Sequence, residues 1–167
     1  MIESSLYYRE GASINNFSSC LPASQSSLAQ ELTKDPYNFD FLTLRDGYLE
    51  RELEDALTDN ITKFLIELGN GFAYVGRQVR LEVGGDEFFI DLLFYHLKLR
   101  SYVVIELKTG DFQPEYIGKL GFYVSAINRE NATDTTIGLL ICKSKNNIVA
   151  RYTLDTANLP SVSLNMN

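Results

Sequence analysis

The sequence predicts an α/β fold, with a mixed central β-sheet made of an antiparallel meander plus a later strand and flanked by helices. Three observations predict it. An apolar stripe at helical spacing runs over residues 48 to 68, three strand-like segments succeed one another between 72 and 108, and an almost wholly apolar run, TTIGLLICK, follows a second helical stretch. The 167 residues are about one domain's worth of chain, since domains run to ~100–200 residues. At 45% apolar and 22% charged the composition is that of a globular protein, and no apolar run approaches the ~18 residues of a membrane span.

Each element has its own signal. Residues 11 to 30, GASINNFSSCLPASQSSLAQ, are rich in Ser, Asn and Ala without a sustained period, which reads as loop or linker. Met1 to Arg9 reads as the end of something rather than the start of a fold, and Asp35-Pro36 marks a turn. Residues 1–40 are therefore expected to be linker, and the compact domain to span 41–167. Leu49, Leu53, Ala56, Leu57, Ile61, Phe64, Leu65 and Leu68 form one face of a single helix that Gly69 and Gly71 end. Steps of 100° put Glu50 inside that stripe and Glu54 at its edge, with Glu52, Asp55 and Asp59 opposite. Strands are expected at 72–83, 86–95 and 101–108, with Gly84-Gly85 as a hairpin turn and HLKLR as a short connection in which His96 is a turn residue. Asp111 as a cap and Pro114 in a first turn open a second helix carrying Tyr116, Leu120, Val124 and Ile127. TTIGLLICK reads as a strand buried on both faces, and KNNIVARYTL as a short helix.

Charge and cysteine content narrow the function classes. The net charge is −7, which argues against a strong nucleic-acid surface, yet residues 1–70 hold 12 acids and 5 bases while 71–167 hold 10 of each. The deficit lies wholly in the first part. Two distant cysteines, Cys20 and Cys142, and an N-terminus without the apolar core of a signal peptide fit a reducing cytoplasmic setting. One histidine and two cysteines cannot furnish a structural zinc site, so a metal here would need carboxylates.

Those carboxylates have a place. Glu106 and Lys108 interrupt the third strand at its end, and a period of two puts both on one face with Leu107 on the other. Asp91 interrupts the apolar run of the second strand, and a hairpin pairing Tyr95 with Tyr102 sets Asp91 opposite Glu106, with Cβ atoms ~4.5–5.5 Å apart. Two such carboxylates repel and are costly to bury, so something positive must lie between them. Lys108 could neutralise one. A divalent cation satisfies both, with the Leu107 carbonyl, Glu54 or Glu50 and water completing its shell; hard oxygen ligands point to Mg²⁺, with Mn²⁺ able to substitute. Such an arrangement suits phosphodiester hydrolysis, and an Asp, Glu and Lys at strand ends also make an ordinary salt bridge at a sheet rim.

These residues also carry a resemblance. Asp91, a short connection and then Glu106-Leu107-Lys108, after an acidic first helix, resemble the PD-(D/E)XK nuclease superfamily and its restriction-endonuclease-like core, with Ile90 standing where the superfamily's name has proline. More narrowly, KDPYNFDFLTL, ERELEDAL, AYVGRQ, RLEVGGDEFFIDLLFYHLKLR, VVIELKTGDFQPEYIGKLGFYVSA and IGLLICKSKN resemble the YhcG-type family of bacterial nuclease domains, nearly continuously from about residue 20 to 150. The resemblance implies that Asp91 and Glu106 ligate Mg²⁺, that Lys108 is the catalytic lysine, and that Glu54, or else Glu50, joins the site. It places Lys119 and Tyr123, with Glu115 in the same i, i+4 column, where relatives carry a Gln and a Tyr; Lys119 would touch phosphate or merely pair with Glu115. Arg77, Gln78 and Arg80 are candidate nucleic-acid contacts, with Gln78 and Arg80 sharing one strand face and Arg77 the other.

The family's members usually carry a preceding DNA-binding domain, of which residues 1–40 would be at most the trailing edge. NRENATDTT is shorter than in relatives, and the tail NLPSVSLNMN lacks their extension. Two functions follow. One is a metal-dependent DNA endonuclease, part of a longer protein and a homodimer as superfamily members commonly are. The other is a non-catalytic scaffold that keeps the fold and pairs with another protein, which the acidic first part and 12% aromatic content also suit.

Overall fold

A computed structural model describes residues 13–166, so the reading of Met1 to Arg9 lies outside the described residues. In chain order the elements are β1 (Ile14–Asn15), α1 (Phe17–Cys20), α2 (Ala23–Leu32), α3 (Glu50–Asp59), α4 (Ile61–Leu68), β2 (Phe72–Val83), β3 (Asp86–His96), β4 (Ser101–Leu107), α5 (Pro114–Glu130), β5 (Ile137–Cys142), α6 (Asn147–Thr156) and β6 (Ser161–Asn165). They form one six-stranded sheet in the order β1-β6-β5-β4-β3-β2. The meander β2-β3-β4 is antiparallel, while β4, β5 and β6 are parallel. Parallel neighbours need a crossover, and α5 and α6 supply the two. Among the described residues no helix is long and apolar enough to cross a membrane.

Alternation along the strands builds a core on each face of the sheet. Val103, Ile105 and Leu107 of β4 pack with Leu53, Leu57, Phe64 and Leu68 of α3 and α4. Val104 faces the other way, against Ile117, Leu120 and Val124 of α5 and Ala150 and Leu154 of α6. Phe64 meets Phe94 edge-on at 5.5 Å between ring centroids, a pairing that adds about 0.5–1.5 kcal/mol beyond the area it buries. Gly84 and Gly85, at φ +62° and +86°, make the tight β2–β3 turn that the sequence signals.

Several expectations change. The single helix over 48–68 is two helices, because Asn60 (φ −115°, ψ 42°) leaves helical geometry and its side-chain amide donates to the Ala56 carbonyl at 2.9 Å. The apolar stripe survives the break, with Leu53, Leu57, Phe64 and Leu68 all buried. Of the stretch 11–30, the described residues 13–30 are not a loop, and the packing does not begin at residue 41. Phe17, Ala29, Tyr37 and Phe39 share the α3/α4 core, β1 pairs with β6, and α2 escapes pattern reading because its buried positions are Ser26 and Ala29, too small and polar to make a stripe. The buried Lys145 ammonium ties this segment down, donating to Asp35 and, at 3.0 Å, to the Ser163 carbonyl. The tail also forms β6, whose Val162 and Leu164 enter the first core. Gln113, not Asp111, precedes the first turn of α5; Asp111 instead accepts from the Ser144 hydroxyl in the loop beside β5.

Candidate active site

The β3–β4 ladder runs from His96↔Ser101 through Tyr95↔Tyr102 to Leu92↔Ile105, the register that sets Asp91 opposite Glu106. There the backbone ladder stops. The Leu107 N–H donates to Asp91 Oδ2 at 3.0 Å instead of to a carbonyl, and the Asp91 N–H points at Glu106 Oε1 across 3.4 Å. Side chains have taken the place of main-chain rungs. On β2 the pairs Arg77↔Leu92 and Val79↔Ile90 put Gln78 across from Asp91, and Gln78 has φ +45°, left-handed backbone in the middle of a strand. Alternation slips at this row. Leu92 and Phe94 face α3 and α4 while Leu93 faces α5, yet Ile90 also faces α5, together with Val79 and Leu81. A local irregularity of this kind re-aims side chains where regular pleating would bury or expose them.

The slip brings both layers' polar groups together. From α3, Glu54 is buried, and both its oxygens are engaged: Oε1 accepts from Arg77 Nε at 3.1 Å and Oε2 from Gln78 Nε2 at 2.8 Å. The same Gln78 nitrogen lies 3.4 Å from Asp91 Oδ1. Arg77 also donates to Asp55 and, at 2.9 Å, to the Thr58 hydroxyl. Burial pushes the Glu54 carboxyl up, the Gln78 hydrogen bond opposes that, and the Asp91 charge adds to it. Glu106 is pushed up to about 8, first by burial and then by the Asp91 carboxylate, against the pull of Lys119, the Asp91 amide and Lys108. Negative charge is therefore undercompensated in this row.

The lysines stand at its rim. Lys108 Nζ lies 3.9 Å from Glu50 Oε1 and 4.8 Å from the Tyr116 ring centroid, with a fifth of its side chain exposed. Glu50 accepts from the Thr109 hydroxyl at 2.9 Å, so of the two helix candidates Glu54 approaches Asp91 and Glu50 attends the lysine. Lys119 sits 5.6 Å from the ring of buried Tyr123; burial works against its charge, but the negative charge of Glu106, joined by Tyr123 and Asp91, outweighs that and its pKa is raised. Among the described residues it makes no ion pair with Glu115. Leu107 contributes its amide to Asp91 while its side chain enters the α3/α4 core.

Two expectations about β2 are corrected. Arg77 and Gln78 do not face opposite ways, because the positive φ turns both toward Glu54. Arg80 is apart from this group, paired with Glu87 at 2.7 Å and Glu82 at 3.2 Å. His96 is not a turn residue but the last residue of β3, paired with Phe72 and Ser101; its buried ring accepts from the Lys98 and Leu99 amides of the turn that follows, both at 3.2 Å, and meets the Asn70 carbonyl at 3.0 Å. Burial lowers its pKa and keeps it neutral, and a Cβ at Gly71 would lie 2.6 Å from the ring. Among the described residues no three His, Cys, Asp or Glu side chains are grouped closely enough to enclose a metal ion. A cation at this row would rest on the Asp91–Glu106 pair, with backbone and water for its remaining positions.

Residues 30–164 match the family described as the YhcG PDDEXK nuclease domain. The protein "Putative nuclease YhcG" of Escherichia coli (strain K12) is 37% identical over 147 residues, covering 86% of this chain and 38% of its own length. In the solved EndoMS-dsDNA2 complex one chain superposes with a TM-score of 0.53 at 21% identity, over 75% of this chain and 48% of that one. The second likeness concerns the fold alone, and the fold is restriction-endonuclease-like. The chain spans about two fifths of the length of the Escherichia coli relative and about half that of the EndoMS chain.

Proposed function

Because the chain belongs to the YhcG PDDEXK nuclease domain family, we propose that it is a divalent-metal-dependent endonuclease domain that hydrolyses phosphodiester bonds in DNA as part of a longer protein. The observation that carries this reading is the meeting of Asp91 and Glu106 in the opened ladder, where burial and mutual repulsion push Glu106 up to about 8. A pair of hard oxygen donors short of positive charge fits a small divalent cation, Mg²⁺ or in its stead Mn²⁺. Asp91 and Glu106 would hold it directly, with the Leu107 carbonyl and water, while Glu54 supports Asp91 through Gln78. Once bound, the cation supplies charge against a developing phosphoryl oxyanion and a water of lowered pKa.

The chain's own groups do the rest. Lys108 sits at the rim with Tyr116 and Glu50 fixing its direction, placed to donate to a phosphate oxygen or to hold the attacking water. Lys119 offers a second positive charge from α5, beside Tyr123. At −7 overall the chain has little general attraction for a polyanion, so this reading assigns most DNA affinity to other parts of the longer protein. DNA is the substrate class this reading takes; the EndoMS neighbour, alike in fold, was itself solved with double-stranded DNA.

Nicking of supercoiled plasmid with Mg²⁺ or Mn²⁺ tests the proposal. Lys108→Ala should lower the rate by about 10²–10³-fold, the scale of losing one preorganised donor, and Asp91→Ala should abolish it. Equal nicking by the wild type and both variants would sink the reading.

A further inference from the structure

We propose that Gln78 is a positioning residue: its side-chain amide sets the separation of Glu54 and Asp91 and so holds the carboxylate row ready for a divalent cation. The inference rests on the metal-dependent reading above and deepens it.

Its basis is one nitrogen with two anionic neighbours. Gln78 Nε2 lies 2.8 Å from Glu54 Oε2 and 3.4 Å from Asp91 Oδ1, and an amide NH₂ has two hydrogens, one for each carboxylate. Glu54 reaches from α3 and Asp91 from β3, so this amide links the helical layer to the sheet at the row where the β3–β4 ladder opens. The backbone supports the assignment independently. Gln78 holds φ +45°, a conformation that residues with a side chain seldom adopt, and that geometry lets Arg77 and Gln78, adjacent in sequence, both reach Glu54. A strand of ordinary geometry would send one of them to the opposite face.

The chemistry of the side chain matters as much as its place. A lysine here would cancel the negative charge that attracts a metal, and a glutamate would add to the repulsion. A neutral amide donates to both carboxylates and leaves their charge in place, so that Glu54, through Gln78, holds Asp91 oriented for a cation shared with Glu106. Gln78 thereby leaves the set of nucleic-acid contacts, since its donor nitrogen is committed inward.

Two variants separate the amide from the backbone. Gln78→Gly removes the amide and relieves the positive φ, while Gln78→Met keeps the length and the φ demand but cannot donate. Mn²⁺ titration by calorimetry should show Kd raised about 10–100-fold in both, the range for losing a group that orients a metal ligand. Thermal melting of the metal-free proteins should show Gln78→Gly folded and no less stable than the wild type. In plasmid nicking, the Mn²⁺ concentration giving half the maximal rate should rise by the same factor, and the rate at saturating Mn²⁺ should stay close to that of the wild type. Wild-type Mn²⁺ affinity in either folded variant overturns the inference and leaves the nuclease reading intact. A wild type that binds no Mn²⁺ and nicks no plasmid overturns both.

Discussion

The two halves of the sheet share β4 and differ in almost everything else. On the parallel side, β5 is buried along its whole length and its ladders to β4 and β6 run without a break. On the antiparallel side, β2 slips register between Tyr74 and Gly76, turns to positive φ at Gln78, and gives up its share of strict alternation at the Asp91 row. Glu106 belongs to both halves, having parted from β3 while still paired with Leu140 of β5. The regular half therefore holds the very strand whose buried Glu106 meets Asp91 where the irregular half opens. Under the proposed function, stability and reactivity would be drawn from opposite sides of one strand.

Substitutions can test that division. Leu139→Ala in the regular half should cost about 2–5 kcal/mol, because the side chain is fully buried between packed layers and a cavity would remain. Urea denaturation measures the loss, and the comparison predicts unchanged Mn²⁺ affinity in the protein that remains folded. A large change in affinity would mean that the two halves are not separable.

The next effect is pH dependence. The folded-state pKa of Glu106 lies above its ordinary value of 4.5, so the folded protein binds this proton more tightly than the unfolded chain does. The stabilisation is fully present below about 4.5 and is lost as pH rises through about 8. Metal-free stability should therefore fall across that window, and Glu106→Gln should flatten the fall. Mn²⁺ should oppose it in the wild type alone, since the variant lacks the ionised ligand. Denaturation at pH 5, 7 and 9, with and without Mn²⁺, reads both outcomes.

The smallest effect belongs to Arg80, whose partners Glu82 and Glu87 are as exposed as it is. Arg80→Ala should change stability by no more than about 1 kcal/mol and leave plasmid nicking unaltered. A marked loss of nicking would extend the reactive region along the hairpin.

Much of this was legible because charge inside an apolar run is conspicuous. Asp91 among FFI and LLFY, and Glu106 after VVI, announced themselves, and Tyr95 with Tyr102 flanked a connection short enough to fix the register between them. The order of the two glutamates on α3 was less legible. Angular placement favours Glu50, but Glu50 opens the helix, where no preceding turn covers it, and Glu54 one turn later is the one buried. The break at Asn60 was hidden because both helices keep the same stripe. The N-terminal helix was hidden for the opposite reason, its inward face being Ser26 and Ala29. Nothing in the residue types of Arg77 and Gln78 signals a positive φ, so the bridge between Glu54 and Asp91 became visible only in three dimensions.

Among the described residues β2 pairs only with β3, so its 12 residues form an outer margin of the sheet. A long margin of free amides and carbonyls is a template on which another chain can add itself and begin to aggregate. Arg80, Glu82 and Glu87 on this hairpin make an incoming strand strip water from charged groups already satisfied by one another. The flexed arm that serves the carboxylate row is thus also a fence that favours solubility.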